Sequence, residues 1–159
     1  MKGCHENRPE VSVVIPVYNA EKYLRQTMNY LLYQTLEEIE FIFVDDGSSD
    51  RSVTIIQEYM EQYKDKIYLY HTDHTGPGGA RNKGIEHARA DYIGFADADD
   101  YMEYDMYEKM LYVAKKENHD LVYTPYYLVR DDKKRIHGRL NQPIEKNQLI
   151  FHGEVAFWS

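Results

Sequence analysis

The stretch Val11-Ser12-Val13-Val14-Ile15-Pro16-Val17-Tyr18-Asn19 decides the fold class. Residues 11–15 form an almost continuous β-branched run, the pattern of a strand covered on both faces. Pro16 has no N–H to give to a ladder and is expected to end that strand. Reading outward, Leu24, Met28, Leu31 and Leu32 recur at helical spacing within residues 21–33. Residues 40–44 (EFIFV) give a second strand, stopped by Asp45-Asp46-Gly47. Ser48, Ser49 and Asp50 are candidate N-caps for a helix carrying Val53, Ile56, Tyr59, Met60 and Tyr63 on one face. Residues 67–70 read as a third strand, followed by a loop at Gly76-Pro77-Gly78-Gly79 and a short helix over 80–88. A fourth strand over 92–96 runs into Asp97-Ala98-Asp99-Asp100, and residues 106–116 form another amphipathic helix. Residues 121–129 read as extended, with the charged run 130–135 as a solvated turn between two strands.

Strands separated by helices predict an α/β fold: a mainly parallel sheet with right-handed crossovers and helices on both faces. Ligands of such sheets bind beyond the carboxyl ends of the strands. That rule selects four groups, which are expected to face one crevice. They are Pro16-Val17-Tyr18-Asn19, Asp45-Asp46-Gly47, the glycine-rich loop and Asp97-Ala98-Asp99. With no internal repeat and no low-complexity linker, residues 1–159 read as a single domain.

Composition sets the limits. A chain of 159 residues can bury roughly two-thirds of its surface, enough for a core without metals or disulfides. Hydrophobic residues at 43% and charged residues at 29% describe a globular, water-soluble chain. The 27 acidic against 19 basic residues give a net charge of −8, which argues against nucleic acid as a partner. A small phosphorylated ligand stays open, because a bound divalent cation reverses the local field. No apolar run approaches the roughly 20 residues of a membrane span, so no transmembrane segment is expected. Residues 1–6 lack the apolar centre of a secretory signal. The single cysteine, Cys4, allows no internal disulfide, and these features together point to a reducing cytoplasm. The 16 tyrosines suit half-buried edges and stacking surfaces.

The chemistry lies in carboxylates. Asp97 and Asp99, two apart at a strand end, can share one site if the chain turns there. Close carboxylates repel and need protons, a cation or water. Mg²⁺ and Mn²⁺ prefer oxygen ligands and combine one or two carboxylates with substrate phosphates. Taken alone, turn capping explains Asp97, Asp99 and Asp100 as well as a site does, and the same holds for Asp45-Asp46. Convergence of both clusters on one crevice favours the site. The segment from Gly76 to Arg81 is neither a dinucleotide fingerprint nor a GxxxxGK[ST] phosphate loop. Arg81 and Lys83 can meet phosphate charge or lie on a solvated helix face. His71 and His74 show no metal-ligand spacing and read as surface residues.

Three stretches, VSVVIPVYNAEKYL (11–24), FVDDGSSDRS (43–52) and GPGGARNKGIEHARADYIGFADADDYM (76–102), resemble family-two glycosyltransferases of the GT-A fold, a Rossmann-like architecture. The resemblance implies that Pro16, Val17 and Tyr18 line a nucleotide-base pocket, with the Tyr18 ring available to the base. Asp46, with Asp45 beside it, would accept a hydrogen bond from the base, typically the uracil of UDP. Asp97-Ala98-Asp99 matches the DXD motif of the family. Asp97 would hold ribose or sugar, and Asp99, with Asp97, the Mn²⁺ or Mg²⁺ that bridges the diphosphate. Arg81 joins the donor-binding set. The implied reaction is inverting transfer of a sugar from a nucleoside diphosphate sugar to a saccharide or lipid-linked acceptor, aided by a carboxylate general base.

In the family that base and the acceptor region lie well after the DXD motif, and sixty positions follow Asp99 here. The expectation is a donor-binding part whose general base lies beyond Ser159, with Phe157-Trp158-Ser159 at the entrance to the acceptor region. Peripheral attachment at the inner face of a membrane is the alternative to a free cytoplasmic chain, and the oligomeric state is open. A non-catalytic nucleotide-sugar-binding module would keep the same donor site. A nucleotidyltransferase would need a basic triphosphate loop after the first strand, and residues 16–20 contain no Lys or Arg.

Overall fold

The computed structural model describes residues 8–124, 126–130 and 133–137. Its elements run β1 (Val11–Val17), α1 (Glu21–Leu32), β2 (Ile39–Asp45), α2 (Ser52–Gln62), β3 (Ile67–His71), α3 (Gly76–His87), β4 (Tyr92–Phe95) and α4 (Met106–Glu117). The chain divides into two compact units, Met1–Val122 and Tyr123–Ser159. In the second, β5 (Tyr126–Arg130) pairs antiparallel with β6 (Lys133–His137). Much of the charged run expected to be a turn is therefore strand.

In the first unit the strands lie in the order β3-β2-β1-β4. All three pairings are parallel, Val11 lying opposite both Ile39 and Tyr92, and Phe41 opposite Ile67. The chain steps outward from β1 to β3 and then returns to the other side of β1. This reversal is the switch point at which parallel α/β sheets open a crevice.

Both faces of the sheet are covered, as the β-branched runs require. Val13, Ile15, Val17, Phe41 and Phe43 pack with Leu24 and Met28 of α1, Ile55 and Ile56 of α2, and Leu111 of α4. Val14, Ile42 and Val44 point the other way and pack with Ala80 of α3. Two polar residues interrupt that second face at the amino ends of the strands. Glu40, 1% exposed, accepts from the Ser12 hydroxyl at 2.6 Å, from Arg89 N at 3.0 Å and from Arg89 Nε at 2.7 Å. A buried carboxylate so paired fixes the chain between α3 and β4 to the sheet. Among the tyrosines, Tyr30 stacks on Tyr104 and meets Tyr101 edge-on.

Pro16 does not end β1, contrary to the expectation; it pairs opposite Val44. Val14 O accepts from Ala96 N, so alternate residues of β1 turn their backbone groups toward β4. Pro16 is the next such residue, and the pairing with β4 ends at Val14–Phe95, so no ladder bond is lost. The glycine-rich segment is likewise not a loop but the first turn of α3, with proline at an initial position where its fixed φ favours a helix. Further along, Gly84 lets α3 approach β1. A Cβ there would lie 2.3 Å from Val14 Cγ1. Gly84→Ala is expected to cost about 1–3 kcal/mol through overpacking, more than the roughly 0.5–1 kcal/mol that alanine contributes in a helix. Urea unfolding reads the loss, and Val14→Ala in the same chain is expected to restore part of it.

Candidate functional site

The carboxyl ends of the strands are joined by backbone bonds. Asp46 N donates to Val17 O at 2.8 Å, and Thr72 N to Asp45 O at 2.9 Å. Around this edge the loops after β1 and β2 cap each other's helices. Asn19, left-handed at φ 49, donates its N–H to Ser48 Oγ at 3.0 Å, and its Oδ1 accepts from Ser49 N at 2.9 Å. Ala20 N donates to Ser52 Oγ at 2.8 Å. Asp50 accepts from Glu21 N at 3.0 Å and from Ser52 N at 2.9 Å, so one carboxylate serves the first turns of both α1 and α2. Glu21 returns the contact by accepting from Arg51 N at 2.9 Å. The expected caps of α2 are therefore shared, and Ser48 and Ser49 serve the β1–α1 loop instead.

Asp46 is 6% exposed and is surrounded by donors. Its Oδ1 accepts from Thr72 Oγ1 at 2.7 Å, Thr75 N at 2.7 Å and Thr75 Oγ1 at 3.1 Å, and its Oδ2 from Gly76 N at 2.8 Å. Burial pushes the carboxyl up, but these bonds outweigh it and hold Asp46 below the ordinary carboxylate value. Asp45, also buried, accepts more weakly from Ser48 N at 3.2 Å and faces His71 Nδ1 at 3.4 Å. The exposed Tyr18 ring meets His74 edge-on, with centroids 5.7 Å apart. His74 in turn lies over Gly47, which takes φ +81; a Cβ on Gly47 would sit 2.7 Å from the imidazole. His71, His74, Thr72 and Thr75 thus gather around Asp45, Asp46 and Gly47. Single-residue reading assigned the histidines to open surface and passed over the threonines. The signal that finds all four is their position at the carboxyl end of β3.

At the end of β4, Ala98 is buried while Asp97 and Asp99 on either side are exposed. Thr27 Oγ1 of α1 donates to Ala98 O at 2.9 Å and pins this turn. Arg81 Nη2 of α3 donates to Asp97 Oδ1 at 2.6 Å. Partial burial, then the charges of Asp97 and Asp99, push the Asp100 carboxyl up. The donor set fits a hard divalent cation that takes one or two carboxylates and fills its remaining positions with water and phosphate oxygens. Among the described residues no three His, Cys, Asp or Glu side chains form a metal cage. The structure brings Pro16, Val17, Tyr18, Asp45, Asp46, Arg81, Asp97, Ala98 and Asp99 to the same edge of one sheet.

A four-stranded parallel sheet with carboxylates and an arginine at its switch point defines an α/β fold with its candidate site at the carboxyl edge. More narrowly, the chain belongs to glycosyl transferase family 2, whose model matches residues 12–157. It is 37% identical over 148 residues to Bacillus subtilis (strain 168) EpsJ, named an uncharacterized glycosyltransferase, covering 93% of this chain and 42% of EpsJ. The crystal structure of S. aureus TarS 1-349 in complex with UDP-GlcNAc superposes with a TM-score of 0.63 at 29% identity, covering 69% of this chain and 32% of that one. A mannosyltransferase from Pyrobaculum calidifontis, solved with GDP-Man and Mn²⁺, shares the fold with a TM-score of 0.62 at 24% identity, covering 67% of this chain and 33% of its own. These likenesses establish the GT-A architecture, and the chain spans under half the length of each of these relatives.

Asp50 makes the interlocked edge testable. Burial pushes its carboxyl up, but the bonds from Ser52 and Glu21 outweigh it and hold Asp50 below the ordinary carboxylate value. A carboxyl lowered by folding contributes stability that is present above its unfolded value and is lost as pH falls through its folded value. Asp46 adds to the same acid limb. Asp50→Ala is expected to cost about 1–2 kcal/mol at neutral pH, the usual loss of a helix cap. Its urea midpoint is expected to fall less steeply than the wild type's below about pH 4.

Proposed function

We propose that this chain is the donor-binding part of an inverting, metal-dependent glycosyltransferase. It takes a nucleoside diphosphate sugar, UDP the first candidate, and serves transfer to a saccharide or lipid-linked acceptor. The observation that carries the reading is the placement, on one strand-end edge, of an aromatic and carboxylate pocket next to an exposed carboxylate pair bridged to an arginine. TarS, the neighbour that binds UDP and UDP-GlcNAc, supports UDP over other nucleotides.

Each side chain has a role in this reading. Tyr18, 58% exposed, offers a ring to the base. Asp46 Oδ1 is saturated by three donors, whereas Oδ2 has one and can accept an imide N–H. Asp45 and Val17 form the floor beside Pro16. Asp97 faces ribose or sugar, and Asp99 with Asp97 would hold Mn²⁺ or Mg²⁺. When bound, the cation neutralises charge that develops on the leaving diphosphate. Ala98 serves by its burial, which turns the two flanking carboxylates outward. No general base is assigned among the described residues, and the acceptor step belongs to the remaining length that the relatives have.

Two measurements test this reading by calorimetry. With Mn²⁺ present, UDP binding is expected to fall about tenfold or more in Asp99→Asn, the effect of losing one charged partner, and EDTA is expected to do the same to the wild type. Unchanged binding in both sinks the metal assignment. Tyr18→Ala, at an exposed ring, is expected to weaken UDP by about 1–3 kcal/mol through lost stacking while leaving the unfolding midpoint in place. A variant that binds UDP as before removes Tyr18 from the pocket.

A further inference from the structure

Arg81 sits in the second turn of α3 with its side chain 21% exposed, and its guanidinium reaches Asp97 Oδ1 at 2.6 Å. Asp97 itself is 52% exposed, so water can reach the pair from one side. Arg81 Nε is buried with no hydrogen-bond partner, which leaves one donor of the fork unused. The fork therefore engages Asp97 by one nitrogen rather than in the two-bond manner that makes arginine–carboxylate pairs strong. A single bond and an unused buried donor describe a guanidinium that can exchange its partner.

A divalent cation on Asp97 would share the carboxylate with Arg81 and stand within a few ångströms of its positive charge. Guanidinium and cation therefore repel each other at Asp97 unless a further anion joins them. A nucleoside diphosphate is such an anion, with enough oxygens to serve both. We propose that Arg81 is a positioning residue that keeps the divalent cation off Asp97 until a nucleoside diphosphate arrives, so that cation and nucleotide bind together. The proposal rests on the donor-site reading above. It makes Arg81 the internal counter-ion of Asp97 when no nucleotide is bound. When nucleotide is bound, the guanidinium turns to the anionic donor and releases the oxygen. Because coupling between two ligands is reciprocal, UDP must raise the affinity for the cation by the factor by which the cation raises the affinity for UDP.

Electron paramagnetic resonance of free Mn²⁺ measures cation binding to the full chain with and without UDP. Wild type is expected to bind Mn²⁺ at least about tenfold more tightly with UDP than without. Arg81→Gln, neutral at similar length, is expected to bind Mn²⁺ alone about tenfold more tightly than wild type and to lose most of the coupling. Arg81→Lys, which keeps the charge, is expected to behave as wild type, a rescue that a purely structural role for Arg81 would not give. Mn²⁺ affinity without UDP that is unchanged in Arg81→Gln overturns the proposal while leaving the donor site standing. Asp97→Asn and Asp99→Asn variants that bind Mn²⁺ and UDP like wild type overturn both. If Arg81→Gln does not fold, the guanidinium resonance of Arg81 in the wild type decides. Mg²⁺ alone is expected to leave it in place and Mg²⁺ with UDP to shift it, and a shift with Mg²⁺ alone overturns the proposal.

Discussion

A parallel sheet brings the starts of its crossover helices to one edge, and every helix start exposes backbone N–H groups that its own turns cannot satisfy. In this chain carboxylates borrowed from neighbouring loops meet that demand. Asp50 accepts from the first turns of α1 and α2, and Asp46 from Thr75 N and Gly76 N where α3 begins. None of these three helices receives a side-chain bond from its own N-cap residue. The loops after β1, β2 and β3 are thus held by one another, and the pocket they outline depends on these two ionised carboxylates. Their lowered values are the electrostatic signature of that dependence.

The two edges of the sheet divide the work. At the amino edge, Glu40 is closed off by Ser12 and Arg89 and presents nothing to a ligand. At the carboxyl edge, Asp97 and Asp99 stay exposed and Asp100 bears the charges of both. The same residue type is surrounded by donors at Asp46 and Asp50 and left exposed at Asp97 and Asp99. What separates them is the supply of N–H and hydroxyl donors, which is abundant where helices start and scarce beyond β4.

The sheet was legible because its strands are β-branched runs with covered faces, and its parallel character then followed from alternation with helices. Pro16 misled because a ladder has two sides and sequence does not say which side a residue's N–H faces; its side is unpaired there. The helical character of Gly76-Pro77-Gly78-Gly79 was hidden because glycine content outweighed the proline's preference for a helix start. Paired aspartates at strand ends were legible as candidates, and both pairs lie at the carboxyl edge of the sheet. The roles of His74 over Gly47, Thr72 on Asp46 and Arg81 on Asp97 were not legible. Each joins residues from different strand ends, and only the order β3-β2-β1-β4 brings those ends together.

If an acidic chain is to bind a diphosphate, as proposed above, it must find positive potential somewhere. Helix starts are the usual source in α/β proteins, but that of α3 is already committed. Thr75 N and Gly76 N bond to Asp46, and Pro77 has no N–H. With a net charge of −8 and carboxylates at Asp45, Asp46, Asp97, Asp99 and Asp100 around the crevice, a bare diphosphate would meet repulsion. Two like charges 4 Å apart are worth about 4 kcal/mol each time near a protein surface, far beyond what a base-stacking contact returns. On the donor-site reading, attraction would come from Arg81 together with a cation held by the exposed pair. On the same reading, the commitment of Thr75 N and Gly76 N to Asp46 would leave a metal ion and Arg81 as the main sources of positive charge for a diphosphate.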